Sequence, residues 1–211
     1  MKKNLPQGLY AITAEDFSKG RDNIEVVKAM LDGGVKLLQY RDKEKSKLDK
    51  FRQCEKIRAL TKEYDACFIV NDDIDIALSV ESDGIHLGQG DLPIQKARAI
   101  AGADMIIGLS THSPQQANEA VQNGADYIGV GPIFKTFTKK DVVDPVGFEY
   151  LDFCVKNIRI PKIAIGGVKI SNLESICKYR PENICLVTEI AGADDIAKTV
   201  SQIIKIIGDN N

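Results

Sequence analysis

The stretch of sequence that decides the fold is CFIVNDDIDIALSVESDGIHLGQGD, residues 67–91. It begins with an apolar run that predicts a buried strand, continues through a short helical segment around Ile76 and Leu78, and ends in a second apolar run. Two strands joined by one helical crossover lie parallel, so their carboxyl ends meet at the same rim of a sheet. Asp72 follows the first strand and Asp91 follows the second, and we therefore expect the two carboxylates to lie close together.

Two convergent carboxylates predict a Mg²⁺ site, because this ion prefers hard oxygen ligands and keeps positions open for water and substrate phosphate. Each acid also has a simpler interpretation. Asp91 lies two residues before Pro93 and could cap the next helix, and Asp73 and Asp75 are typical of a first helical turn. The position of Asp72 and Asp91 at neighbouring strand ends favours the metal for these two, and we assign Asp73 and Asp75 to the helix start.

Similar strands alternate with helices along the whole chain. Short β-branched runs predict strands over 9–13, 35–41, 67–71, 84–87, 105–109, 127–130, 162–165 and 184–187. Amphipathic patterns predict helices that include 23–31, 47–64, 114–122 with Ser113 as N-cap, 148–155, 172–179 and 196–207. Eight β-α units predict an α/β fold, a closed (β/α)₈ TIM barrel, in one domain over residues 1–211. An open doubly wound sheet is the alternative, and in a barrel the chemistry lies on the loops after the strands.

Composition and charge narrow the class of protein. Of the 211 residues, 44% are hydrophobic and 27% are charged, and the net charge of −2 provides no basic field for nucleic acid. The five cysteines lack metal-binding spacing and fall in apolar patterns, which indicates reduced thiols in a cytoplasmic protein. The stretch MKKNLPQGLY lacks the apolar region of a signal peptide, and no apolar run approaches the roughly 18 residues of a membrane span. We expect a cytoplasmic protein that binds neither nucleic acid nor membrane, and a homo-oligomer is compatible with the sequence.

The second predicted strand ends in Gln39-Tyr40-Arg41-Asp42-Lys43. Because side chains alternate along a strand, Gln39, Arg41 and Lys43 share the face that fills the barrel. An amide and two cations at the barrel mouth are suited to a polyphosphate, which Arg grips bidentately and Lys attracts as a point charge. The alternative is a solvated charged turn, since charged residues continue beyond Lys43.

The fifth predicted strand leads into Ser110-Thr111-His112, which offers two hydroxyl groups and an imidazole. We interpret His86, inside the fourth strand, as a core histidine with satisfied hydrogen bonds, and His112 as an orienting group. No Ser/His/Asp arrangement is apparent, which disfavours a triad hydrolase.

A long polar loop follows the sixth strand, from Pro132 to Gly147. A loop of this length is typical of a lid. Its Thr and Lys residues could donate hydrogen bonds to an anion, with Lys139 offsetting the charge of a leaving group. The alternative is a mobile basic surface loop.

Gly166-Gly167 follow the seventh strand, and Val187-Thr188 end the eighth. Barrels frequently bind a phosphomonoester on backbone N–H groups of these two loops, where glycine allows close approach. Two anion sites in one mouth predict an enzyme that joins two phosphorylated substrates, and Mg²⁺ with Arg and Lys suits the departure of diphosphate. Lys162 lies at the wrong end of its strand for a Schiff base, which disfavours aldolases.

The chain resembles the thiamine-phosphate synthase family over essentially its full length. The resemblance is carried by QYRDK (39–43), VNDD (70–73), GIHLGQGD (84–91), GLSTH (108–112), GVGPIFKTFTKK (129–140) and IAIGGV (163–168). It implies a Mg²⁺-assisted transferase in which a pyrimidine methyl diphosphate ionises and the nitrogen of a thiazole ethyl phosphate captures the pyrimidine cation. The products are thiamine phosphate and diphosphate.

The resemblance also implies roles for individual residues. It assigns the pyrimidine diphosphate to Gln39, Tyr40, Arg41, Asp42, Lys43 and Asn71, the pyrimidine to Ser110, Mg²⁺ to Asp72 and Asp91, and the departing diphosphate to Lys139. It assigns the thiazole phosphate to Thr136, Thr138, the backbone of Gly167, Val187 and Thr188, and it counts Phe137 among the substrate-binding residues. The residues it places in catalysis are Arg41, Lys43, Ser110 and Lys139.

Three departures from the family pattern lie on the thiazole phosphate side. Lys135 stands where the family usually has Pro, and the segment from Tyr179 to Asn183 lacks the usual Gly-Ala-rich turn. Thr188-Glu189 replaces a Ser followed by a small residue, and a carboxylate close to a phosphate would repel it.

Two alternatives compete with the synthase hypothesis. A thiazole tautomerase of related fold would isomerise the thiazole phosphate without coupling, but it has no need of the diphosphate-binding run 39–43. A non-catalytic barrel that binds a thiamine precursor has no need of the Asp72 and Asp91 pair.

Overall fold

The structure is a computed structural model that describes residues 4–138 and 143–210. Its eight parallel strands pair in chain order, and the last strand pairs with the first. The strands are β1 (Gly8–Ile12), β2 (Leu37–Tyr40), β3 (Cys67–Asn71), β4 (Gly84–Leu87), β5 (Ile106–Thr111), β6 (Tyr127–Val130), β7 (Lys162–Ala164) and β8 (Asn183–Leu186). The register of β1 against β8, from Gly8 opposite Asn183 to Ala11 opposite Leu186, excludes the open sheet and confirms the predicted (β/α)₈ barrel.

Helices connect the strands and cover the outside of the barrel. They are α1 (Asn23–Asp32), α2 (Lys47–Glu63), α3 (Ile74–Ser79), α4 (Ile94–Ala101), α5 (Pro114–Gln122), α6 (Gly147–Asn157), α7 (Leu173–Cys177), α8 (Thr188–Ala191) and α9 (Ile196–Asp209). Short 3₁₀ turns precede α1 and α7, at Glu15–Phe17 and Ile170–Asn172. The one-turn helix α8 lies where the sequence predicts a loop, since its four residues are too few to show a helical period.

Side chains alternate along each strand between two apolar regions. The barrel interior is filled by Tyr10, Ile12, Leu37, Cys67, Ile69, Ile106, Tyr127, Ile163 and Cys185. The larger outer region, between strands and helices, takes the alternate positions, such as Leu38 and Tyr40 of β2. This alternation decides which side chains of a strand reach the barrel mouth and which are covered by helices.

Local sequence signals explain several helix ends, including the predicted cap at Ser113. Ser113 caps α5 by accepting a hydrogen bond from the Gln116 N–H, and Gly33 ends α1. Pro93 directly precedes α4. Among the residues described, no helix combines the length and the apolar character needed to cross a membrane.

Candidate active site

A cleft of about 910 Å³ opens at the carboxyl ends of the strands. Its lining comes from all eight loops after the strands, because a parallel barrel collects these loops at one face. The residues of the predicted site that line it are Gln39, Arg41, Asp42, Lys43, Asn71, Asp72, Asp91, Ser110, Thr136, Phe137, Thr138, Gly167, Val187 and Thr188. Lys139 lies outside the described residues, and Tyr40 does not line the cleft.

The end of β2 sends alternate side chains into the cleft. Gln39 is 2% exposed, and Arg41, two residues further along the chain, is half-buried. Burial lowers the pKa of the Arg41 guanidinium, and the carboxylates of Asp72 and Asp42 oppose that change. Thr13, a cleft residue that we did not predict, holds the Arg41 backbone: its hydroxyl accepts from the Arg41 N–H at 2.8 Å and donates to the Arg41 carbonyl at 3.1 Å.

Two residues of the 39–43 run, Tyr40 and Asp42, make their side-chain hydrogen bonds within the protein. The side chain of Tyr40 lies on the outer face of β2, where its hydroxyl donates to Gln53 Oε1 of α2 at 2.9 Å. The alternation of the strand turns this side chain away from the barrel mouth, so the predicted contact of Tyr40 with a substrate would have to come from its backbone. The Asp42 carboxylate accepts the Glu44 and Lys45 N–H groups at 3.0 and 2.9 Å, so it shapes the loop after β2.

Asp72 and Asp91 come together at the rim, after β3 and β4. Asp72 adopts a left-handed backbone conformation, with φ of 58°, and its N–H donates to the His86 carbonyl at 2.9 Å. Burial raises the pKa of the Asp72 carboxyl; the hydrogen bond from Lys43 opposes this, and the neighbouring Asp91 carboxyl increases it further. The Asp91 carboxylate accepts the Gly88 N–H at 2.7 Å, so it folds back over its own loop instead of capping α4.

The other two acids of this loop pair with lysines of α2. Asp73 precedes the first residue of α3 and lies 3.0 Å from the Lys50 ammonium, and Asp75, in its first turn, lies 2.5 Å from Lys47. Both are at the helix start, as expected, and neither lines the cleft.

A row of hydrogen bonds crosses the floor of the cleft. Gln39 Nε2 donates to the Tyr10 hydroxyl at 2.7 Å, which lies 3.0 Å from the Tyr127 hydroxyl. Tyr127 contacts His86 Nδ1 at 2.9 Å, and His86 Nε2 contacts Ser110 Oγ at 2.9 Å. Burial raises the pKa of both tyrosines, which keeps them protonated. His86 is hydrogen-bonded at both ring nitrogens, as predicted, and it also reaches the cleft.

His112 is hydrogen-bonded through both its ring and its backbone. Its Nδ1 donates to the Gly131 carbonyl at 2.6 Å, and its backbone N–H donates to Gln116 Oε1 at 2.7 Å. These contacts tie the end of β5 to the start of the loop after β6.

Backbone groups form the opposite side of the cleft. Gly166 and Gly167 have φ of 99° and 64°, and a Cβ on Gly167 would lie 2.6 Å from the Lys135 carbonyl oxygen. The two loops are joined directly, since the Phe134 N–H donates to the Gly166 carbonyl at 2.9 Å. Glycine is required here both for the left-handed conformation and for the close approach.

The loop after β6 brings two threonines to the cleft. The hydroxyl groups of Thr136 and Thr138 lie 3.1 Å apart, and Phe137 between them is 81% exposed. The Lys135 ammonium lies 5.5 Å from the centre of the Phe137 ring. Lys135 therefore lines the cleft as an additional cation at the position where the family usually has Pro.

Glu189 does not face the cleft. Its carboxylate accepts the Ile170 N–H at 3.2 Å, in the loop after β7, while Val187 and Thr188 line the cleft. The expected repulsion of a phosphate by this carboxylate is accordingly not supported by the geometry. The altered segment before β8 also has a packing role, because Tyr179 stacks on Phe148 with ring centres 5.0 Å apart.

Sequence reasoning missed the two interior tyrosines. Tyr10 and Tyr127 lie 117 residues apart in the chain and occupy ordinary strand positions, so no local motif marks them. One weak signal exists: Gly108 of β5, where a Cβ would lie 2.0 Å from Tyr127 Cζ, is an unusual residue for a strand interior.

The fold and the position of the cleft define a class, the (β/α)₈ barrel proteins with a binding cleft at the carboxyl ends of the strands. Comparisons with known proteins identify the particular family. The family model described as thiamine monophosphate synthase matches residues 9–190. The chain belongs to this family, and with it to the transferases of thiamine biosynthesis.

Individual relatives agree with that family. The chain is 54% identical over 203 residues to a thiamine-phosphate synthase of Pelotomaculum thermopropionicum, covering 96% of this chain and 93% of the relative. It is 48% identical to the protein of that name from Caldicellulosiruptor saccharolyticus, with 94% and 90% covered. A solved thiamine phosphate pyrophosphorylase of Pyrococcus furiosus superposes with a TM-score of 0.89 at 35% identity, covering 97% of this chain and 96% of that one. These relatives support the synthase hypothesis and neither of its two alternatives.

Proposed function

We propose that this barrel transfers the pyrimidinylmethyl group of a pyrimidine methyl diphosphate to the ring nitrogen of a thiazole ethyl phosphate. The bond between the methylene carbon and the diphosphate oxygen breaks, and its electron pair leaves with diphosphate. The lone pair of the thiazole nitrogen then forms the new bond to that carbon, so the products are thiamine phosphate and diphosphate and no proton is transferred. The observation that carries the proposal is a single cleft with a charged side and a glycine-rich backbone side.

The charged side is suited to the diphosphate. Arg41 and Lys43 line it, and Arg41 is held in place through its backbone by Thr13. Lys43 forms an ion pair with Asp72. The lysine offsets part of the negative charge of this carboxylate, which would otherwise repel phosphate oxygens bound nearby. Fixed donors and cations stabilise negative charge that develops on a leaving group, because they need little reorganisation during the reaction. We retain Lys139 as a further cation for diphosphate on the basis of the family resemblance.

Asp72 and Asp91 would hold Mg²⁺ in this proposal. The two carboxyl groups lie within hydrogen-bonding reach of each other, and their mutual repulsion favours a cation between them. Among the described residues no group of three or more metal-ligating side chains occurs, so substrate oxygens and water would complete the coordination that this ion requires. When bound, the ion supplies positive charge to the departing diphosphate.

The floor of the cleft is suited to the pyrimidine. Gln39 of β2, Asn71 at the end of β3 and Ser110 of β5 all line the cleft. Each offers a neutral polar group, which fixes the orientation of a heterocycle without competing for the metal. In the proposal, these groups orient the pyrimidine ring.

The backbone side is suited to the thiazole phosphate. Gly167 offers its backbone N–H, and so does the start of α8, where Val187 precedes the helix and Thr188 is its first residue. The first N–H groups of a helix have no partner within the helix. Thr136 and Thr138 add hydroxyl donors from the loop after β6. The exposed Phe137 would be covered if this loop closed over the substrates, which would exclude water from the pyrimidine cation.

The proposal includes the setting in which the enzyme works. We infer one domain over the whole chain, two phosphorylated small-molecule substrates and action in the cytoplasm. Five buried thiols support a reducing compartment.

The decisive experiment measures diphosphate release by the purified protein. With Mg²⁺, the pyrimidine methyl diphosphate and the thiazole phosphate all present, we expect diphosphate and thiamine phosphate in equal amounts. Omission of the thiazole phosphate or chelation of the metal should reduce product formation to background. Absence of diphosphate release with all components present would contradict the proposed reaction.

A further inference from the structure

We propose that Tyr127 is a positioning residue for the reaction. Through a buried hydrogen-bond relay, Tyr127 holds His86 as the tautomer that is protonated at Nε2. The Ser110 hydroxyl then acts as a hydrogen-bond donor to the bound substrate. The relay consists of Gln39, Tyr10, Tyr127, His86 and Ser110, in that spatial order. The inference rests on the proposed function for its effect on turnover, but its central claim concerns the protein without substrate.

The two ends of the relay reach the cleft, and its centre does not. Gln39 and Ser110 line the cleft, whereas Tyr127 is 0% exposed and does not line it. Tyr127 therefore has no contact with a molecule in the cleft. Any effect of its hydroxyl on the reaction has to pass through Tyr10 or His86.

The proposed direction of the hydrogen bonds starts from Gln39, whose amide nitrogen is a donor. The amide nitrogen of Gln39 donates to the Tyr10 oxygen, and in the proposed relay the Tyr10 hydroxyl donates in turn to the Tyr127 oxygen. The Tyr127 oxygen accepts that hydrogen bond, and the Tyr127 hydroxyl donates to His86 Nδ1, 2.9 Å away. A nitrogen that accepts a hydrogen bond carries no proton, so the proton of the neutral imidazole lies on Nε2.

The tautomer of His86 then decides the role of Ser110. His86 Nε2–H donates to Ser110 Oγ at 2.9 Å, so the serine hydroxyl accepts from the ring and its own proton is free to point elsewhere. Gln89 Nε2 donates to the Ser110 carbonyl at 2.7 Å and fixes the backbone there. Ser110 consequently presents a donor to the cleft, which suits an acceptor atom such as a pyrimidine ring nitrogen.

The ring of Tyr127 is placed by a specific gap in the neighbouring strand. A Cβ on Gly108 would lie 2.0 Å from Tyr127 Cζ, so only glycine at this position leaves room for the ring. The ring stacks on His86 with centres 5.4 Å apart and meets Tyr10 edge-on at 6.1 Å. Phenylalanine would keep this packing and remove the hydroxyl alone, so Tyr127→Phe separates the relay from simple filling of the interior.

The tautomer can be measured directly by ¹⁵N NMR of the imidazole rings in the substrate-free protein at mildly alkaline pH. The chain has two histidines, and His112→Gln assigns their signals. His112 provides an internal contrast, because its Nδ1 faces a carbonyl oxygen and must carry the proton. We expect opposite tautomers, Nε2–H for His86 and Nδ1–H for His112. An Nδ1–H or doubly protonated His86 would overturn the proposal without bearing on the proposed reaction.

Tyr127→Phe tests the consequence for turnover. We expect part of the His86 population to shift to the other tautomer. We also expect kcat to fall by about tenfold to a hundredfold, because a group that orients a substrate-binding residue is lost. KM for the thiazole phosphate should stay unchanged. Tyr150→Phe is the matched control, because it removes another buried hydroxyl, which donates to Thr111 Oγ1 at 2.7 Å on the outer face of β5. This variant should keep the kcat and the His86 signal of the wild type.

Two outcomes of the Tyr127→Phe experiment count against the relay. Wild-type kcat would show that the relay does not position Ser110 for the reaction. A fall in kcat with an unchanged His86 tautomer would assign Tyr127 to packing alone. If the variant does not fold, the tautomer of the wild-type protein still decides the matter.

Discussion

The two sides of the barrel mouth are built from different chemical groups. The side after β2, β3 and β4 uses charged side chains: Arg41, Lys43, Asp72 and Asp91. The side after β6 and β7 presents backbone groups, and it has no room for a side chain at Gly167, where an added Cβ would lie 2.6 Å from the Lys135 carbonyl oxygen. A side-chain site is altered by changing one functional group, whereas a backbone site is altered by adding volume. The difference determines which substitutions should affect which substrate.

The largest effect should come from Asp72→Asn on the side-chain side. Asparagine tolerates the left-handed backbone at this position, so the loop should keep its shape while one carboxylate is lost. We expect turnover to fall by about a hundredfold or more, as for the loss of one electrostatic contact to a developing charge. Thiazole phosphate affinity should stay near that of the wild type. Steady-state diphosphate release and calorimetric titration measure the two quantities.

Asp73→Asn is the matched control, because this adjacent acid pairs with Lys50 at 3.0 Å and does not line the cleft. Its turnover should be close to that of the wild type. Near wild-type turnover of Asp72→Asn, or of the equivalent Asp91→Asn, would refute the metal assignment.

A smaller effect is expected from Gly167→Ala on the backbone side. The added methyl would lie 2.6 Å from the Lys135 carbonyl oxygen and push the two loops apart. We expect KM for the thiazole phosphate to rise by about tenfold, equivalent to about 1.4 kcal/mol, with little change for the pyrimidine diphosphate.

Gly147→Ala controls for backbone strain in that experiment. Gly147 has φ of 66°, close to the 64° of Gly167, but a Cβ there meets nothing within 4 Å. Both variants incur the left-handed cost of about 1 kcal/mol, and only Gly167→Ala should weaken thiazole phosphate binding. Equal changes of KM in the two variants would mean that the close approach is irrelevant to the site.

A still smaller effect on activity is expected from Tyr40→Phe. The hydroxyl contacts Gln53 behind β2, so kcat and both KM values should match those of the wild type. Loss of this hydrogen bond should lower the free energy of unfolding by about 1 kcal/mol, which urea denaturation measures. A raised KM for the pyrimidine diphosphate would show that this hydroxyl contributes to the cleft after all.

The smallest effect should follow Glu189→Gln. Glutamine removes the charge and keeps an oxygen that can accept the Ile170 N–H. Because the carboxylate faces that N–H and not the cleft, we expect unchanged thiazole phosphate affinity and a stability change within about 0.5 kcal/mol. Markedly tighter binding on titration would indicate that the charge reaches the phosphate.

Much of the fold could be predicted because it depends on local patterns. The alternation of strands and helices predicted the closed barrel, and the strand ends placed Asp72 and Asp91 together. The alternation of the strand also predicts that the Tyr40 side chain lies on the face opposite Gln39 and Arg41, and the structure shows it there. Glu189 could not be oriented from sequence, since a four-residue helix after β8 turns its carboxylate toward another loop.

The sequence by itself determined the order of strands and helices, the charged residues at the strand ends and the family to which the chain belongs. These features depend on residue type and spacing, which are readable along the chain. The tertiary structure decided the relay from Gln39 to Ser110 and the contact between Gly167 and the loop after β6. Both depend on the closure and register of the barrel, which bring together groups as far apart as Tyr10 and Tyr127 and leave no periodic trace in either segment.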